Sequence, residues 1–247
     1  MATWNSECAL PGPVKKIFLP FARKLVEVYG DDLHSIFLFG SATGENFISG
    51  RSDINSVVVL NKVGAEDLSK ALVLIASVRR LRIAAPLFMT EAHIKSSLDV
   101  FPIEFMDMQA NYMVVYGNDF LKDLVIGTEH VRLFCEQQIK GKLIRIRQAF
   151  LEVGMSARNM ERLLGEAMDS LIPVFRGLLK TKGISPSVVK EEIISQMGSS
   201  FGIASDAFLV IWQNKKTRSH FDRQQAAQVF ATVIEQLELL AGIVDRL

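Results

Sequence analysis

The sequence predicts an α+β protein: an N-terminal domain on a mixed β-sheet with flanking helices, followed by an all-α helical bundle. Three observations predict it. Short β-rich runs (SIFLF, INSVVVL, APLFM, VFPIEFMDM) alternate with helical patterns as far as about Asp119. From Leu121 onward such runs vanish, and apolar residues recur at steps of three and four. Of the 247 residues 49% are hydrophobic, ample for packed cores. The expected domains are residues 1–120 and 121–247.

Each element follows from its pattern. Pro13 to Tyr29 carries Val14, Phe18, Phe21, Ala22, Leu25 and Val28 at helical spacing and stops at Gly30, a C-terminal glycine. SIFLF and INSVVVL read as the first two strands. Val63 to Leu81 reads as a helix with Ala65, Leu68, Leu72, Ile75 and Val78 on its apolar side. Arg79, Arg80 and Arg82 stand at its end, where the helix dipole favours cations. APLFM is expected as a third strand and VFPIEFMDM as a fourth. In the second half, Val131, Cys135, Ile139, Leu143, Ile146, Phe150 and Val153 form one stripe of an amphipathic helix. Further helices are expected at 156–180, 186–197, 205–214 and 222–247, the last with Phe230, Val233, Ile234, Leu237, Leu240 and Val244 on one face.

The bulk numbers narrow the function classes. Net charge is +1 and the pI about 7.8, so no overall field favours nucleic acid or a membrane surface. The segment MATWNSECALPGPVKK lacks a signal peptide's apolar run, and no stretch stays apolar for the roughly 20 residues of a membrane span. Cys8 and Cys135 lie far apart, without the spacing of a disulfide framework or a zinc site. His34, His93, His130 and His220 lack metal-ligand spacing. A cytoplasmic protein without a nucleic-acid or membrane partner is expected. The basic stretch KGKLIRIR reads as a solvated helix surface, and NKKTR (Asn214 to Arg218) as a helix end. The apolar stripes of the helical half leave a homodimer open.

The chemistry concentrates in FLFGSATGENFISGRSDINSVVVL, Phe37 to Leu60. A glycine after a strand lets the backbone approach an anion, and Ser41 with the adjacent amides can donate to phosphate oxygens. On a strand, Asp53 and Asn55 project from one face and Ile54 from the other. Two oxygen-bearing side chains so spaced can grip a magnesium ion that also binds substrate phosphates. Arg51 and Ser52 precede Asp53 in the same loop. In FPIEFMDM, read as a strand, Glu104 and Asp107 face opposite sides, so at most one joins Asp53.

Order and spacing together resemble the DNA polymerase β-like nucleotidyltransferase superfamily, nearest its small bacterial aminoglycoside-nucleotidyltransferase-like members with a helical C-terminal domain. That signature is a hydrophobic residue, Gly, Gly or Ser, about a dozen residues, Asp-hydrophobic-Asp/Glu, and a third carboxylate on a later strand. Here Phe39-Gly40-Ser41, eleven intervening residues, Asp53-Ile54-Asn55 and Glu104 fill it. The resemblance covers the first half by motif and the second by helical character alone. It implies magnesium-dependent transfer of a nucleotide monophosphate from a nucleoside triphosphate, ATP first, to a hydroxyl acceptor shaped by the helical domain. Gly40, Ser41, Arg51 and Ser52 would bind the nucleotide, and Asp53, Asn55 and Glu104 would hold Mg2+.

Position 55 departs from the pattern. Two magnesium ions bring roughly +4 of charge, which carboxylates offset, and an asparagine removes one negative charge. The alternative reading is therefore a catalytically degenerate nucleotide-binding or interaction module on the same fold.

Overall fold

A computed structural model describes residues 3–5, 10–44, 47–154 and 156–247; Cys8 lies outside them. The architecture is mixed α+β, as expected, and the chain divides into two compact units, Met1–Ile126 and Gly127–Leu247.

The first unit is built on a four-stranded sheet. Strand β1 (Leu33–Phe39) runs antiparallel to β2 (Asn55–Leu60) on one side and to β4 (Tyr112–Gly117) on the other. Strand β3 (Leu87–Met89) pairs parallel with β2, giving the order β3-β2-β1-β4. A parallel neighbour requires a crossover, and helix α2 (Ala65–Val78) supplies it. Strand alternation sends Ile36, Leu38, Val58 and Leu60 to one face. There they pack with Phe18, Phe21 and Leu25 of α1 (Gly12–Tyr29) and with Ala71 and Leu74 of α2. Phe37, Val57 and Val59 point to the other face. They meet Ile94 of α3 (Glu91–Ser96) and Phe105 and Met108 of α4 (Pro102–Ala110).

Two expectations are corrected here. VFPIEFMDM is not a strand: its core is α4, and the fourth strand is the next run, YMVVYG. Pro102 occupies the first turn, where its missing N–H costs nothing. Burial of Pro102, Ile103, Phe105 and Met108 follows helical rather than alternating spacing. In α2 the inward line is Asp67, Ala71, Leu74 and Val78, while Leu68 and Leu72 are exposed. Asp67 sets that face. Its Oδ2 accepts the Gly64 N–H at 3.1 Å, and its carbonyl accepts the Tyr29 hydroxyl at 2.8 Å.

The second unit contains α5 (Thr128–Val153), α6 (Ala157–Thr181), α7 (Lys190–Phe201), α8 (Asp206–Thr217) and α9 (Arg223–Val244). Val131, Cys135, Ile139, Leu143 and Ile146 of α5 are buried along the expected stripe. Phe150 stacks on Phe230 with ring centroids 4.4 Å apart, and Phe175 meets Phe208 edge-on. Helix α9 is long and apolar enough to cross a membrane by length and composition; here Val233, Leu237, Leu240 and Val244 are buried within the unit. On the basic surface of α5, Lys140 pairs with Glu136 and Asp245, and Arg147 with Glu238.

Candidate functional site

The end of β1 and the start of β2 coincide, because Phe39 pairs with Asn55 in the antiparallel register. The chain leaves β1 at Gly40, whose φ of +73° is left-handed, and enters one 3-10 turn over Gly40–Thr43. A Cβ at Gly40 would meet nothing within 4 Å, so the backbone angle and not space demands glycine there. The turn is held by the Gly40 N–H donating to the Asn111 carbonyl at 2.9 Å and the Thr43 hydroxyl donating to the Gly40 carbonyl at 2.8 Å. The Ser41 hydroxyl is half-buried and, among the described residues, without a hydrogen-bond partner. It is a donor held ready at the end of the sheet.

The polar excursion between the strands includes positions 45 and 46, which lie outside the described residues. Its last part folds on itself. The Ser52 N–H donates to the Ile48 carbonyl at 2.8 Å, and the Ile48 N–H donates back to Ser52 Oγ at 3.1 Å. Ser52 thereby shapes the loop, and Arg51 stands exposed. Asp53 then precedes the strand that Asn55 opens, and between them Ile54 is buried.

Asp53 already has a cation. Arg82 Nη2 lies 3.0 Å from Asp53 Oδ1 and also donates to the Arg51 carbonyl at 2.7 Å. The backbone brings this about: Ile54 N–H donates to the Arg82 carbonyl, and Ala84 N–H to the Ile54 carbonyl, forming a parallel bridge ahead of β3. Arg82 itself has φ +58°. Both side chains of the pair are about half exposed (46% and 58%), so the pair shapes the local field more than it stabilises the fold. Sequence reading missed Arg82. The available signal was topological: residues just before a strand parallel to β2 must lie beside those that open β2.

No third carboxylate comes from the neighbouring strand. Leu87 pairs in register with Val57 and so shares the face of Asn55; Ala85 precedes it by one pleat. Glu104 sits exposed in the first turn of α4, where an acidic residue suits the helix N-terminus. Among the described residues no three His, Cys, Asp or Glu side chains gather where a metal ion could be held. The donor set at the strand ends is one carboxylate paired with an arginine and one neutral amide. That set does not fit two magnesium ions. On the other side of β1, Tyr112 pairs with Phe39 and donates to Asp119 Oδ2 at 2.9 Å. Burial, then that bond, pushes its phenol up to about 12. The strand ends thus carry a half-buried serine hydroxyl, a tight backbone turn and the Asp53–Arg82 ion pair.

No family model and no curated protein matches the chain. Among solved structures it is similar to spectinomycin adenyltransferase AAD(9) from Enterococcus faecialis, determined with ATP and spectinomycin. The TM-score is 0.55 at 11% identity, over 89% of this chain and 98% of that one. At that identity the likeness shows the fold alone: this chain shares the fold of that structure.

Proposed function

We propose that the chain binds a nucleoside triphosphate, ATP first, at the Gly40-Ser41 turn, and that arginine takes the place of metal at the Asp53 end. The carrying observation is the Asp53–Arg82 ion pair. A magnesium ion at Asp53 must displace a guanidinium, with only Asn55 beside it as a second oxygen donor. A triphosphate, by contrast, gains from Arg82 and Arg51 through charge-assisted hydrogen bonds. Ser41 supplies a hydroxyl donor, and the left-handed Gly40 lets the phosphate approach the backbone.

Calorimetric titration with ATP, with and without magnesium, tests this reading. The expected result is ATP binding that magnesium does not strengthen. Arg82→Ala should weaken it by about tenfold, the worth of a hydrogen bond to a charged group. Absence of binding at millimolar ATP would sink the proposal, and so would binding that requires magnesium.

A second reading is transfer of a nucleotide monophosphate to a hydroxyl acceptor with Mg2+. It is favoured by the fold shared with an adenyltransferase that was solved with ATP and spectinomycin. Under this reading the chain releases pyrophosphate from ATP when an acceptor is present, and Asp53→Asn abolishes the release.

A further inference from the structure

The helical unit holds a charged cleft of about 540 Å3, between the first half of α6 and the end of α8 with the loop after it. This is the size of a small-molecule pocket. Arg158 and Arg162 line it from one side, a helical turn apart on α6, and Arg218 lines it from the other. Among the described residues none of the three has an ion-pair partner. The neighbouring charges do: Lys215 pairs with Asp169, and His220 Nδ1 lies 3.2 Å from Glu161 Oε1. Among the described residues Glu166 is the one lining carboxylate without a cation. Three guanidinium groups collected around one cavity repel one another unless an anion joins them.

Three further observations point to a ligand. Gly165 lies inside α6, where glycine costs about 1 kcal/mol relative to alanine. A Cβ there would meet nothing within 4 Å, so packing does not require glycine; its absent side chain keeps the cleft open. Arg218, the C-cap of α8, has φ +56°, a conformation that costs a non-glycine residue about 1 kcal/mol. Asn214 lines the cleft at 5% exposure, its Oδ1 accepting the Ser219 hydroxyl. Its Nδ2 is buried and has no acceptor among the described residues. Ile211 and Phe221 add apolar wall.

We propose that this cleft binds a small organic anion, a carboxylate or phosphate joined to an apolar body. Arg158, Arg162 and Arg218 hold the anionic group, and Ile211 and Phe221 take the body. The site uses residues of the helical unit alone and does not depend on the nucleotide reading.

The test titrates the full chain with phenyl phosphate, benzoate and inorganic phosphate, following cleft-residue amide shifts by NMR. Phenyl phosphate or benzoate is expected to bind, more weakly as salt rises, and whichever is tighter identifies the anionic group. Arg162→Gln and Arg218→Gln should each weaken it by at least about tenfold. Gly165→Met should abolish binding while thermal stability is kept, because the added side chain enters open space. ATP binding should survive Gly165→Met and be lost in Gly40→Val, which separates this site from the proposed nucleotide site. The proposal is overturned if neither aromatic probe binds at millimolar concentration, or if binding persists in Gly165→Met. Inorganic phosphate binding as tightly as phenyl phosphate overturns the apolar half of the site.

Discussion

The end of the sheet and the cleft of the helical unit treat charge in opposite ways. At the sheet, Asp53 and Arg82 cancel each other within 3.0 Å, Asn55 is a neutral amide, and Glu104 lies on helix α4 rather than on a strand. In the cleft, three exposed guanidinium groups without ion-pair partners among the described residues line one cavity, with Glu161 and Glu166 the lining carboxylates. Backbone signature and electrostatics have therefore come apart in this molecule. The Gly40 turn and the start of β2 keep a recognisable shape, but at Asp53 a guanidinium stands where a metal ion would bind. The cleft has no recognisable sequence signature at all, yet it holds the least compensated charge found in either site.

The sharpest way to break this comparison is through backbone. Gly117 closes β4 opposite Ser35, with φ +82°, and a Cβ there would lie 1.8 Å from the His34 carbonyl oxygen. Gly117→Ala should cost about 3 kcal/mol or more, since strain and overlap act together. Gly165→Ala should instead gain about 0.5–1 kcal/mol from helix propensity. Urea unfolding of both variants decides it. Trp4, edge-on to Tyr116, reports the sheet unit, and Trp212 of α8 reports the helical one. Destabilisation by Gly165→Ala would mean that packing needs the glycine, and the open cleft would lose its main structural argument.

Next in size is an attempt to convert the sheet site back to a metal site. Arg82→Ala frees Asp53, Asn55→Asp adds a carboxylate at the start of β2, and Leu87→Glu adds one from β3 at a 41% exposed position. The triple variant should gain magnesium affinity by at least about tenfold over the parent, since hard cations follow carboxylate number. Its stability should change by less than about 1 kcal/mol, because the pair removed is solvent-exposed. Calorimetric magnesium titration of parent and variant reads the difference. Equal magnesium binding in the two would show that charge is not what separates this site from a metal centre.

Much of this was legible in sequence, and the misses have physical causes. SIFLF and INSVVVL read as strands because both are buried on two faces. The α5 stripe read correctly because a long helix samples its periodicity many times. VFPIEFMDM misled because Phe101, Ile103 and Phe105 imitate strand alternation, while Pro102, a good first-turn residue, signalled helix. In α2, Leu68 and Leu72 drew attention as large apolar residues, but the buried line runs through Asp67 and small Ala71. Asp53 and Asn55 were legible as a pair because strand geometry is local. Arg82 was not, because its approach depends on parallel strand pairing. The cleft was still less legible: Arg158 and Arg218 are separated by the whole of α7 and α8, and only folding collects them.

The smallest effect concerns the charges of the helical unit that are paired, against which the cleft arginines stand out. Lys216 Nζ lies 2.8 Å from Glu191 Oε1. That bond first, and Glu191's own backbone second, hold its carboxyl down to about 2, below the ordinary 4.5. A folded-state value below the unfolded one means that unfolding takes up a proton. The stabilisation is therefore complete above about pH 4.5 and is lost as pH falls from there toward 2. Lys216→Met should lower the melting temperature at pH 7 only slightly, because exposed ion pairs contribute little, and the two curves should converge toward pH 2. Between pH 4.5 and 2 the variant's melting temperature should fall less steeply with acid than the parent's. Superimposed curves would mean that the pair contributes nothing. Arg162→Gln gives the contrasting profile: it removes repulsion and no bond, so it should raise the melting temperature slightly at low salt, and added salt should erase the gain.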